Sequence, residues 1–113
     1  MAIRTVKREL EAKLKGVVGG RYADASGKFE RKSYGDSSER LKVHVKGVDQ
    51  APNAIALVLI DGSEVAHIQL QKGRGRVDTQ SLTPGVIPKC AAGQLVQILV
   101  DAEVALEGEL VPD

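Results

Sequence analysis

Val58-Leu59-Ile60-Asp61-Gly62-Ser63-Glu64-Val65-Ala66 returns, one residue shorter, as Ile98-Leu99-Val100-Asp101-Ala102-Glu103-Val104-Ala105. Each copy is an aliphatic run, an acidic turn and a second run with recurring apolar residues. That order spells strand, turn, strand, and Asp-Gly flanked by hydrophobic runs is a strong short-range hairpin signal. A chain that uses the device twice is constrained to antiparallel β-structure. The device sets architecture and carries no chemistry.

The remaining chain fits this reading. Leu41, Val43 and Val45 alternate with Lys42, His44 and Lys46, the period of a half-exposed strand. Ala66, Ile68 and Leu70 are expected inward, with Val65, His67, Gln69 and Gln71 outward. Residues 25–31 read as a strand, and Ser33 to Glu39 as a turn rich in residues that tolerate unusual backbone angles. Residues 8–15 are ambiguous. Ile3, Val6, Leu10 and Leu14 fall at helical spacing, whereas Leu10, Ala12 and Leu14 alternate with charged neighbours. Strand is the reading consistent with the rest, after a leader of residues 1–7 that is disordered or a short helix. Pro84, Gly85 and Pro88 disfavour regular structure between a short strand near Val77 and the second hairpin. The expectation is one domain over residues 1–113: an all-β antiparallel β-sandwich of seven or eight strands, of immunoglobulin-like Greek-key type.

Composition narrows the function classes more than it selects among them. Aromatic residues make up 3% of the chain and Trp is absent, so aliphatic side chains must fill the core. The absence of Trp also disfavours a sugar-binding platform. Cys90 is the single cysteine, which excludes an internal disulfide and an intrachain thiolate cluster. Net charge is +1, but it is unevenly spread. Residues 1–46 hold 12 Lys or Arg against 6 acids, and residues 47–113 hold 4 against 9. Basic strands lying beside acidic ones would account for this, since opposite charges across a ladder stabilise a sheet. No stretch reaches the length of a membrane span. Charges run through the first sixteen positions with no apolar signal-type segment, so the sequence as written reads as cytoplasmic. A removed leader would make it secreted or periplasmic.

The Ala25-to-Phe29 strand, Leu41-Lys42-Val43-His44-Val45-Lys46-Gly47-Val48, the Asp61-Gly62 hairpin, Gly73-Arg74-Gly75-Arg76-Val77 and Val104-Ala105-Leu106-Glu107-Gly108-Glu109-Leu110 together resemble a family of small bacterial β-sandwich domains without an assigned activity. The pattern is distantly similar to chordin-type repeat domains and spans residues 24–110. The resemblance implies a sandwich fold and carries over no catalytic residue.

No constellation points to catalysis. His44 and His67 are the only histidines, too few for a histidine-based metal site, so no metal and no cofactor are expected. Gly35-Asp36-Ser37-Ser38 superficially resembles a hydrolase nucleophile loop, but no base in suitable spacing follows, and a polar turn is the better account. Glu107 and Glu109 share a strand face and read as exposed carboxylates that deter edge pairing. Lys72-Gly73-Arg74-Gly75-Arg76 lacks the ending of a phosphate loop. Lys72, Arg74 and Arg76 are nevertheless candidates for anion binding, because glycines allow close approach and arginine forks grip phosphate. Nucleic acid is a poorer expectation, with so few aromatics to stack bases.

The runs Ile55 to Ile60 and Leu95 to Val100 are apolar on both faces, unlike a strand with one wet side. The expected function is therefore a non-enzymatic structural or protein-interaction module that forms a homo-oligomer. Ile55, Leu57, Val58, Ile60, Val96 and Ile98 are the candidate interface residues. Two rivals stand beside it: a polyanion binder using residues 72–76 and the basic N-terminal third, and an enzyme whose site is assembled across subunits. The segment from Leu82 to Gly93, with Val86 and Ile87, is the alternative cover for the second apolar face.

Overall fold

The computed structural model describes residues 6–83 and 85–112. Nine antiparallel strands form one continuous sheet: β1 Val6–Gly16, β2 Ser26–Tyr34, β3 Glu39–Lys46, β4 Ile55–Ile60, β5 Ser63–Gln69, β6 Gly75–Ser81, β7 Leu95–Val100, β8 Glu103–Glu109 and β9 Val111–Pro112. Their spatial order is β5-β4-β7-β8-β1-β2-β3-β6, with β9 paired to β1. Three of these neighbour pairs, β4–β7, β8–β1 and β3–β6, join strands distant in sequence. The fold is all-β and antiparallel, as the periodicity implies. The two layers expected of a sandwich are one sheet coiled nearly into a barrel.

The last gap in that barrel lies between β5 and β6. Lys72 and Gly73 form a two-residue turn with φ of 55° and 79°, closed by a Gln71–Arg74 bridge. Beyond the turn β6 leaves β5 and pairs with β3 from Val45↔Gly75 to Glu39↔Ser81. Gly75 permits this. A Cβ there would stand 2.6 Å from the Ile68 side chain and 2.9 Å from the Gln69 carbonyl oxygen.

The N-terminal ambiguity resolves as strand. Leu10, Ala12 and Leu14 are buried, while Lys13 and Lys15 face outward. Of the expected leader, residues 1–5 lie outside the described residues, and Val6 and Lys7 open β1. Alternation places Leu41, Val43, Val45, Ile68 and Leu70 in a single core with Phe29, Val58, Ile98 and Leu106. Burying that many aliphatic chains supplies the main driving force, roughly 25 cal/mol per Å² of apolar surface.

The β4–β5 and β7–β8 hairpins correspond residue for residue. Val58 pairs with Ala66 and Leu59 with Glu64, leaving Val65 as a bulge. Ile98 pairs with Leu106 and Leu99 with Val104, leaving Ala105 in the same place. The second copy is therefore not one residue shorter. Its Ala105 matches Val65 and its Leu106 matches Ala66. The two strands share one burial pattern along their length, and Val58 sits directly opposite its own counterpart Ile98.

Candidate functional site

The outer surface of the barrel divides into two halves of different chemistry. Over β1 and β2 it is an ion-pair ladder. Lys28 lies 3.1 Å from Glu11 and 2.9 Å from Glu30, and Lys32 lies 3.5 Å from Glu9. The two carboxylates beside Lys28 hold its ammonium well above the usual lysine range, and Lys28 in turn lowers Glu30. Over β4 and β7 the outer surface is aliphatic. One row across the strands runs His67–Leu57–Leu99–Val104, and the next runs Glu64–Leu59–Gln97–Glu107. Leu57, Leu59 and Leu99 are half-buried, and Ile55 and Leu95 are 55% and 39% exposed. A hollow of about 460 Å³ opens here, lined by Ala54, Ile55, Leu57, Leu99, Asp101 and Ala102.

Of the six expected interface residues, only Ile55 and Leu57 lie on this surface. Val58, Ile60, Val96 and Ile98 point into the core, each 6% exposed or less, and are covered by the chain itself. Strand parity explains the correction: an all-apolar run contributes alternate residues to each face, and the wet set is 55, 57 and 59 rather than 58 and 60. Leu59, Leu95 and Leu99 belong to the same surface and share that parity.

The segment after β6 does not cover this face. Ile87 is buried in the core, but Leu82 and Val86 are exposed. The segment is tied instead to β2 and β3. Arg31 donates from Nε to the Pro88 carbonyl at 2.7 Å and from a terminal nitrogen to Ser33 Oγ at 2.9 Å, and it pairs with the Glu39 carboxylate. The Gly85 amide donates to the other Glu39 oxygen at 2.9 Å. Arg31 and Glu39 are 6% and 8% exposed. The Gly85 amide and the Arg31 guanidinium hold the Glu39 carboxyl below its usual range against the opposing effect of burial. Cys90 lies beside them in a cavity of about 260 Å³ shared with Arg8, Arg31, Ser33, Glu39 and Lys89, and burial pushes its thiol up, away from the reactive thiolate. The signal for this buried pair was in the sequence. The alternation that sends Phe29 inward also sends Arg31 inward, and the one that buries Leu41 and Val43 carries Glu39 with them.

The basic candidates separate. Lys72 occupies the tip of the β5–β6 turn, whereas Arg74 and Arg76 flank Gly75 at the start of β6. His44 stands opposite Arg76 across the β3–β6 ladder, and Val45 opposite Gly75. His44, Lys46, Arg74 and Arg76, all exposed, border a hollow of about 370 Å³ with Val45 and Gly75. The nearest carboxylate along β6, Asp78, is gripped by Arg40 at 2.9 and 2.6 Å, which lowers the acid. The basic strand β3 thus lies beside basic residues of β6. Among the described residues, only Lys15, opposite Glu107, puts an N-terminal base against an acid of the last hairpin in the ladder register.

His67 lies opposite Leu57, on a different strand pair from His44. Among the described residues no group of three or more His, Cys, Asp or Glu side chains converges as a metal site would require. Gly35-Asp36-Ser37-Ser38 is the β2–β3 turn: the Asp36 carboxylate accepts from the Ser38 amide at 3.0 Å and from its hydroxyl, and Ser37 takes a φ of 69°. Glu107 and Glu109 are exposed on β8. No helix of the described residues is long and apolar enough to cross a membrane. No family model and no curated protein matches the chain.

Proposed function

We propose that this chain is a non-enzymatic protein-interaction module that self-associates through the outer face of β4 and β7. The observation that carries the reading is the contrast within one sheet. The outer face of β1 and β2 is charged and ion-paired, while that of β4 and β7 presents Ile55, Leu57, Leu59, Leu95 and Leu99 with no segment laid over them among the described residues. Contiguous apolar surface rimmed by polar residues marks a contact site.

A second copy is the occupant that the rim favours. A twofold axis lying in the contact and across the strands sets Leu57 over Leu59 of the second copy, and His67 over its Glu64. An axis along the strands would instead oppose Glu64 and Glu107, two carboxylates at an apolar contact, which is unfavourable.

Sedimentation equilibrium tests the proposal. The expected result is a dimer for the unaltered chain and a folded monomer for Leu57→Lys and for Leu99→Lys, each with an unchanged far-ultraviolet spectrum. A monomer for the unaltered chain up to millimolar concentration overturns it, as do dimers that persist in both variants. Val58→Lys serves as the contrast, since it places charge in the core and should unfold the domain.

A further inference from the structure

We propose a second binding site, independent of the apolar face: His44, Lys46, Arg74 and Arg76 form a receptor for a phosphate-rich anion recognised by charge. Two strands far apart in sequence bring these four side chains to one place. Residues 44 and 46 share the outer face of β3, residues 74 and 76 that of β6, and the His44↔Arg76 register fixes the two pairs side by side. Among the described residues none of the four is in a direct ion pair with a carboxylate, although Arg76 contributes to the field that lowers Asp78. Asp78 is bound by Arg40, and Glu11 and Glu30 are bound by Lys28. Like charges held together without counter-ions repel one another, and an anion placed among them removes that cost.

The floor and walls define the ligand class. The hollow between these side chains measures about 370 Å³, while Gly75, between Arg74 and Arg76, turns its bare Cα toward Ile68 on the inner face. Two arginine forks can each hold two oxygens of one phosphate, a geometry that several phosphates in a chain satisfy better than a single carboxylate. No Phe, Tyr or Trp lines the hollow; the flat groups that border it are the His44 ring and the Arg74 and Arg76 guanidinium planes. The ligand class is a condensed phosphate or phosphate-bearing chain, held through its phosphates.

Isothermal titration with inorganic polyphosphate, and with oligodeoxythymidylate of equal charge, tests this. Polyphosphate should bind at 50 mM salt, with a log–log salt slope of about −2 for the three charged contacts Lys46, Arg74 and Arg76, hence about 16-fold weaker binding at 200 mM. The double variant Arg74→Ser, Arg76→Ser should weaken binding at least tenfold and flatten the slope. Lys13→Ser with Lys15→Ser removes the same charge from the outer face of β1 and should change affinity less than threefold. Absence of binding overturns the proposal, and so do equal losses in the two double variants, which would reduce the effect to net charge. Tenfold tighter binding of the oligonucleotide would overturn the ligand class, because base contacts would then contribute.

Discussion

Asp101 and Ala102 both adopt positive φ, 52° and 63°, where the matching hairpin has Asp61 and Gly62 at 47° and 84°. A two-residue hairpin of type I′ needs that geometry at both central positions. Glycine adopts it freely, and alanine does so at a cost of about 1 kcal/mol from its Cβ. The two hairpins thus share one turn shape, and Ala102 stands where the other has the residue best suited to it. Ala102→Gly should raise stability by about 0.5–1 kcal/mol, the gain being limited by the greater freedom of glycine in the unfolded chain. Urea denaturation gives the comparison, and a lower midpoint for the variant would contradict it. Tyr22 is the opposite sort of residue: buried at 3% exposure, its hydroxyl has no hydrogen-bond partner among the described residues.

Among the elements, the connection from β6 to β7 is the one whose placement depends on charge. Its chain crosses Arg31 and Glu39 and hands them its Pro88 carbonyl and Gly85 amide. Both charged groups are buried, so removing either leaves the other uncompensated, a loss of about 3–5 kcal/mol in comparable pairs. Glu39→Gln should destabilise the domain by an amount of that order at pH 7. The pH dependence follows from the lowered carboxyl of the folded state. Its contribution is complete above the ordinary carboxylate value of 4.5 and disappears as pH falls through the lower folded value. Denaturation midpoints measured between pH 7 and pH 3 should therefore show an acid-dependent loss in the unaltered protein that is smaller in Glu39→Gln. Equal slopes would show that other carboxylates govern acid sensitivity.

At the scale of the whole molecule, closure of the barrel rests on a very short seam. The β5–β6 turn is held to the loop before β4 by the Gly73 amide, which donates to the Pro52 carbonyl, and by the Val48 amide, which donates to the Gly73 carbonyl. Past that turn, Gly75 lets β6 lie against Ile68 and Gln69. Gly75→Val would drive its side chain into both, so β6 would have to part from β5 or from β3. Amide exchange should then quicken across residues 75–81 while β7 and β8 stay protected, and uniform protection would contradict this account. The same seam orders the surface. By carrying β6 from β5 across to β3, it sets Arg74 and Arg76 beside His44 and Lys46, and leaves the aliphatic outer face of β4 and β7 on another part of the barrel.

Much of this architecture was legible in local pattern, because turns and alternation are decided by neighbours in sequence. The Asp61-Gly62 and Asp101-Ala102 turns, the inward set Leu41, Val43 and Val45, and the inward set Ile68 and Leu70 all stand where residue type and period-two spacing place them. The anion candidates Arg74 and Arg76 were legible as residues but not as a site, since their neighbours His44 and Lys46 arrive from a strand nearly thirty positions earlier. The Ile55–Ile60 and Leu95–Val100 runs show the limit most clearly. An unbroken aliphatic run has no alternation, so residue type could not say that Val58 and Ile98 face the core while Leu57 and Leu99 face out. Composition determined that the core must be aliphatic, and the repeated hairpin with period-two alternation determined that it lies in an antiparallel sheet. Only the order of those strands decided which side the core covered, because that depends on contacts between residues that sequence keeps far apart.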